Sequence, residues 1–148
     1  LTSTTFPRGN GVYDGPSAEA TSQHKVQARE PDFAVDLTTL DMAALIYRLS
    51  GDYNPLHASP SVARAAGFPK PILHGLCSLG VAGHAILKGC CDYDAKRLKS
   101  LKLRFSSTVY PGETMRTEIW RDGANISFKS KIVERDVVVL DNGHATVE

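Results

Sequence analysis

Residues 75–88, GLCSLGVAGHAILK, constrain the fold more than any other stretch of the chain. The run is apolar on nearly every side and dense in small residues: Cys77, Ser78, Gly80, Ala82, Gly83 and Ala85. A helix without a polar face has to be covered by the rest of the molecule. The chain beyond it reads as β throughout. Leu101, Leu103 and Phe105 alternate with Lys102 and Arg104, and Pro111-Gly112 makes a turn into a strand at 114–121. Asp122-Gly123 leads to a strand at 126–133, and Glu134-Arg135-Asp136 to a last one at 137–148. A buried helix with an antiparallel meander after it predicts an α+β fold with a sheet wrapped around the helix.

Ahead of that helix the signals are shorter. FAVDLTT, from Phe33, reads as a strand. Met42, Leu45, Ile46 and Leu49 fall on one apolar face of a short helix, with Thr38 and Asp41 at capping-box spacing before it. Ser59-Pro60 opens a second short helix that ends near Gly67. Residues 1–30 are polar and carry Gly11, Gly15 and Pro16, which suits a linker or lead-in; residues 31–148 are expected to form one domain. No internal repeat is apparent.

The bulk numbers exclude several function classes. A 148-residue chain with 42% hydrophobic and 22% charged residues can bury a core. A net charge of +1 offers no general attraction to nucleic acid or to an anionic membrane. Even the most apolar stretch, 71–87, is interrupted by His74, Ser78 and His84, so no membrane span is expected. Three cysteines, two of them adjacent, make neither a disulfide framework nor a zinc spacing, which suits a reducing compartment. Leu1 and the strand-like HATVE at the other end read as cut ends.

Chemistry gathers in SGDYNPLH, residues 50–57. Asp52 and His57 are five positions apart, about 140° around a helix, and on opposite faces of a strand. Pro55 and Gly51 argue against a helix in any case. Only a bent loop brings the carboxylate and the imidazole to one point, where they could hold one water and move its protons. Asn54 can position either group, or a substrate carbonyl, through its amide. His74-Gly75 stands at the start of the buried helix, where backbone N–H groups lack helical partners and favour a developing negative charge. Gly75 has no side chain to block an approaching oxygen. This equipment suits adding water to, or removing it from, a carbon next to an activated carbonyl.

YRLSGDYNPLH, FPKPILHGLCSLG and KLRFSSTVYPGET together resemble the (R)-specific enoyl-CoA hydratase 2, or MaoC-like dehydratase, family. The likeness is greatest to the catalytic second half of the hydratase 2 region of peroxisomal multifunctional enzymes, and it spans about residues 31–148. It implies a hot-dog fold and the reversible hydration of trans-2-enoyl-CoA to (3R)-3-hydroxyacyl-CoA in fatty-acid metabolism. It implies that Asp52 and His57 are the catalytic dyad, that Asn54 supports them, and that the Gly75 N–H binds the thioester oxygen. Tyr47, Tyr53, Pro55, Leu56, His74 and Phe105 would contact substrate, Phe105 on the strand lining the pantetheine channel. No metal or other cofactor is implied, since coenzyme A arrives with the substrate. Hydratase 2 carries two hot-dog halves, so a second one is expected as partner, from another copy or from a missing N-terminal half. The location implied is peroxisomal, with cytoplasm and mitochondrion as alternatives.

Plainer readings stand beside these. Asp, Asn and His in a loop are often turn-formers. The rival reactions are dehydration of a carrier-protein-linked 3-hydroxyacyl group and thioester hydrolysis; a non-catalytic thioester-binding half-domain is the remaining alternative. A metal held by Asp52, His57 and His74 has no supporting spacing. His84 is expected to be a core residue, and Cys77, Cys90 and Cys91 buried small residues. The basic run Lys96, Arg97, Lys99, Lys102 and Arg104 is expected to be a solvated strand face, with coenzyme A phosphates as the sharper alternative.

Overall fold

The computed structural model describes residues 24–148. Five strands, β1 (Phe33–Thr38), β2 (Leu98–Phe105), β3 (Thr114–Asp122), β4 (Asn125–Ile132) and β5 (Val137–Val147), form one antiparallel sheet in the order β1-β3-β4-β5-β2. The meander β3-β4-β5 pairs in sequence order. The early strand β1 closes one edge on β3, and β2 closes the other on β5. Two regular helices precede the long one: α1 (Ala43–Tyr47) and α2 (Pro60–Ala65). The long helix, α3 (Gly75–Cys90), packs across β1, β3 and β2. A long helix against a five-stranded antiparallel sheet is the hot-dog arrangement that the resemblance implies.

The core lies between α3 and the sheet. Ala82, Ala85 and Ile86 of the helix meet Met115, Ile119, Phe128, Ile132 and Leu140 of the strands, all at most 1% exposed. Small helix residues set the closeness of this packing. A Cβ on Gly83 would touch Leu101, and one on Gly89 would strike the Phe33 ring. On β5, a Cβ on Gly143 would collide with the carbonyl oxygen and the ring of Phe128 on the paired strand. Gly143→Ala must therefore push two core strands apart. We expect a loss of about 1–3 kcal/mol, read as a lower midpoint in chemical denaturation.

Several expectations are corrected. The covered helix is not covered all round: Leu76, Gly80, His84 and Lys88, one line along α3, are exposed. His84 is therefore a surface residue, its ring tilted against Tyr93, because the sheet covers only one side of the helix. The α1 region differs more. Regular helix is confined to Ala43–Tyr47, continued by a 3-10 turn at Arg48–Ser50, and Ala44 is its buried residue. Met42, Leu45, Ile46 and Leu49 form an apolar face, as the spacing predicts, yet they are 48–74% exposed. The capping box does not form, since Met42 holds the N-cap position without a side-chain hydrogen bond and Thr38 bonds Thr114 across the sheet instead.

Of the expected linker, residues 1–23 lie outside the described residues. Residues 24–30 run along the sheet: the Trp120 indole donates to the Arg29 carbonyl at 2.8 Å, and His24 lies 2.8 Å from the Ser127 hydroxyl. Cys90 and Cys91 are buried, and burial pushes their thiols up in pKa. In the basic run, Arg97 pairs with Asp92 and Lys99 with Glu148. Among the described residues no helix is long and apolar enough to cross a membrane.

Candidate active site

Residues 50–57 fold as a chain of small local devices. Gly51 takes φ 109°, the left-handed region that ends the 3-10 turn and that a side chain would resist. The Asp52 carboxylate accepts from the Asn54 N–H at 3.2 Å, and the Asn54 amide oxygen accepts from the Leu56 N–H at 3.0 Å. Pro55 then opens a single 3-10 turn, Pro55–His57, with Asn54 as its N-cap. The plain turn-forming reading thus holds for Asn54, whose amide oxygen is spent on the loop. The turn aims His57 inward. Its Nδ1 lies 2.8 Å from the Ile72 carbonyl. A carbonyl can only accept, so Nδ1 carries the proton and the neutral ring keeps its lone pair on Nε2.

The second half of the site is the turn into α3. His74 is the N-cap residue and Gly75 the first helical residue, so the Gly75 N–H has no acceptor within the helix. His74 is 2% exposed. Its Nε2 is 3.2 Å from the Asp52 carbonyl and 4.0 Å from the Asp52 carboxylate. Its ring stacks on His57 with centroids 3.7 Å apart, and Tyr47 backs it at 4.8 Å. Burial pushes the His74 imidazole below the usual histidine range; the bond to Asp52 opposes the shift, and nearby His57 adds to it. One donor atom each from Asp52, His57 and His74 lie within 4.8 Å of one another. A water can bridge such a gap with two hydrogen bonds of about 2.8 Å.

Two clefts flank the segment between this loop and α3. One, about 170 Å³, is lined by Ile72, Gly75, Ser78, Phe105 and Leu140. The other, about 300 Å³, is lined by His57, Ala44, Leu45, Lys70 and Pro111. Phe105, the last residue of β2, is half-exposed and lies against Gly75: a Cβ there would sit 3.3 Å from its ring. The structure therefore gathers Asp52, His57, His74 and Tyr47 at one point and sets Gly75 with Phe105 beside it. Tyr53 points outward, 61% exposed beneath the Arg48 guanidinium, and Pro55 and Leu56 serve the turn itself. Sequence reasoning missed the Ile72 carbonyl, because a main-chain acceptor leaves no mark on residue identity. It also missed Lys70, which lines the cleft beside His57.

Residues 22–143 match the family model described as MaoC like domain. The chain is 42% identical over 146 residues to "Enoyl-CoA hydratase 2, peroxisomal" of Arabidopsis thaliana, covering 93% of this chain and 47% of that protein. It is 44% identical over 142 residues to "Peroxisomal multifunctional enzyme type 2" of Mus musculus, covering 94% of this chain and 19% of that protein. Among solved structures, a MaoC-like dehydratase from Phytophthora capsici superposes with a TM-score of 0.89 at 41% identity, over 95% of this chain and 50% of that one. The chain thus spans half or less of the length of these relatives. With its central helix on a five-stranded sheet and the S-G-D-x-N-P-x-H loop at the start of that helix, the chain belongs to the MaoC-like family.

Proposed function

We propose that this chain catalyses the reversible hydration of trans-2-enoyl-CoA to (3R)-3-hydroxyacyl-CoA, as a hydro-lyase of fatty-acid β-oxidation. The observation that carries it is the convergence of Asp52 and His57 beside the N-terminus of α3. A water between the two loses a proton to the pair as its oxygen adds to C3 of the enoyl group. The electron pair of the C2–C3 double bond moves toward the thioester, whose oxygen gains charge that the Gly75 N–H stabilises. A proton returned to C2 completes the product. His57 exchanges its proton through Nε2, because Nδ1 is held at the Ile72 carbonyl. The names of the Arabidopsis and mouse relatives support both the reaction and a peroxisomal location.

This chemistry calls on no cofactor beyond the coenzyme A carried by the substrate. The donor set also suits a water better than a metal, since His74 Nε2 is already committed as a donor to Asp52. Incubation with a trans-2-enoyl-CoA and with its carrier-protein-linked counterpart tests the reading. Loss of the conjugated double bond from the coenzyme A substrate is expected. Activity confined to the carrier-linked substrate, or release of free thiol, contradicts it.

The site also calls for a neighbour. Met42, Leu45, Ile46 and Leu49 expose an apolar face directly before the catalytic loop, and the structural relative from Phytophthora is twice as long as the matched region. A face of this kind is an interaction surface. We expect it to pack on a second hot-dog unit that completes the acyl pocket, either a second copy in a two-fold dimer or a separate half. Sedimentation of the pure chain should show self-association, or capture of such a half. A stable monomer with full activity on long acyl chains would contradict this.

A further inference from the structure

His74 is almost fully buried at the site, and its contacts do not suit a substrate-binding residue. Its Nε2 faces the Asp52 carbonyl at 3.2 Å, which requires a proton on that nitrogen. Nδ1 is then a bare acceptor, and it is buried without a hydrogen-bond partner among the described residues. A buried acceptor left unpaired destabilises the fold, because it has given up its water partner for nothing. Phenylalanine at this position would fill nearly the same space and relieve that cost. What it would lose is the Nε2–H. The retained imidazole thus trades stability for one hydrogen bond, and that bond ends on the backbone of a dyad member.

The ring's other contact is with the second dyad member. His74 and His57 stack with centroids 3.7 Å apart and planes inclined by 22°. The bond from His57 Nδ1 to Ile72 fixes one edge of that ring but leaves it free to rock about the Nδ1···O axis. A flat ring against its face removes that freedom. Tyr47 supports His74 from behind at 4.8 Å.

We infer that His74 is a positioning residue, acting as its Nε2–H tautomer, which holds Asp52 by a hydrogen bond to its carbonyl and His57 by stacking. It bridges the two halves of the dyad and touches neither the water nor the thioester. The inference rests on the hydratase reading above for its kinetic consequences, and on geometry alone for its structural ones.

Two variants separate the contacts. His74→Phe keeps a ring for His57 and removes the donor to Asp52, while His74→Gln keeps a donor and removes the ring. Each is expected to lower kcat about 10- to 100-fold, the scale of a small misplacement of a catalytic group, with KM within about twofold. His74→Phe should match or exceed the wild-type thermal midpoint. The His57 imidazole resonances should broaden or shift in His74→Gln, because its ring is no longer clamped. Unchanged kcat in both folded variants would overturn the inference. So would a raised KM at unchanged kcat, the mark of a residue that binds substrate directly. If the wild type proves not to hydrate enoyl-CoA, the functional reading fails by itself. The His57 resonances still decide on the platform: wild-type-like signals in His74→Gln overturn it.

Discussion

Asp52→Asn and His57→Ala are each expected to lower kcat by about 10²- to 10⁴-fold, the contribution typical of a positioned acid or base. Both substitutions leave the fold largely intact. Asp52 is exposed, and an asparagine there still presents the oxygen that accepts from the Asn54 N–H. His57→Ala gives up one hydrogen bond, to the Ile72 carbonyl, and the stack on His74, at the end of a single 3-10 turn. If the two groups act on one water, as proposed, the double variant should be little worse than the poorer single one. Circular dichroism on each variant, beside steady-state hydration rates, makes the measurement. Near-normal turnover in either folded single variant would remove that residue from the mechanism.

The second large effect is expected at Gly75. A Cβ at this position would sit 3.3 Å from the Phe105 ring, tighter than ordinary contact, in a cleft that Gly75 and Phe105 both line. Alanine asks the half-exposed Phe105 to give a few tenths of an ångström. Valine adds two methyl groups where a thioester oxygen has to approach. Gly75→Val should therefore cost about 10²- to 10³-fold in kcat, the scale for loss of an oxyanion donor, and Gly75→Ala considerably less. A folded Gly75→Val variant that retains kcat would show that the charge is stabilised elsewhere.

Local periodicity carried most of the fold. Alternation made the strands visible most clearly in β3, where Met115, Thr117 and Ile119 are at 0% exposure while Thr114, Arg116 and Glu118 are partly exposed. The meander and the long helix were legible from turn residues and from the run of small side chains. Two features failed for a shared reason. The expected burial of α3 on all sides, and the expectation that His84 lies in the core, both took an apolar composition to mean burial within this one chain. An apolar helix line can equally be an interface, and composition does not distinguish the two. The face of Met42, Leu45, Ile46 and Leu49 shows the same ambiguity at smaller scale.

At the site, Asp52, His57 and Gly75 were legible because their spacing excludes helix and strand and places a glycine at a helix start. The surroundings of His74 were not, because they consist of a contact across 22 residues of sequence with the Asp52 carbonyl and of ring stacking that only the folded loop creates. Asn54 shows the converse case. Its amide looked free to orient a catalytic group, and the structure spends the amide oxygen on the Leu56 N–H.

The most direct test of the central claim tracks one oxygen atom. The protein in its native assembly is given trans-2-enoyl-CoA in ¹⁸O-labelled water, and the product is resolved by chiral chromatography with mass detection. The expected product is a 3-hydroxyacyl-CoA of (3R) configuration with the label on C3, formed by the wild type and greatly slowed in Asp52→Asn. An unlabelled thioester returned unchanged, label in a released carboxylate, or a product of (3S) configuration would contradict it.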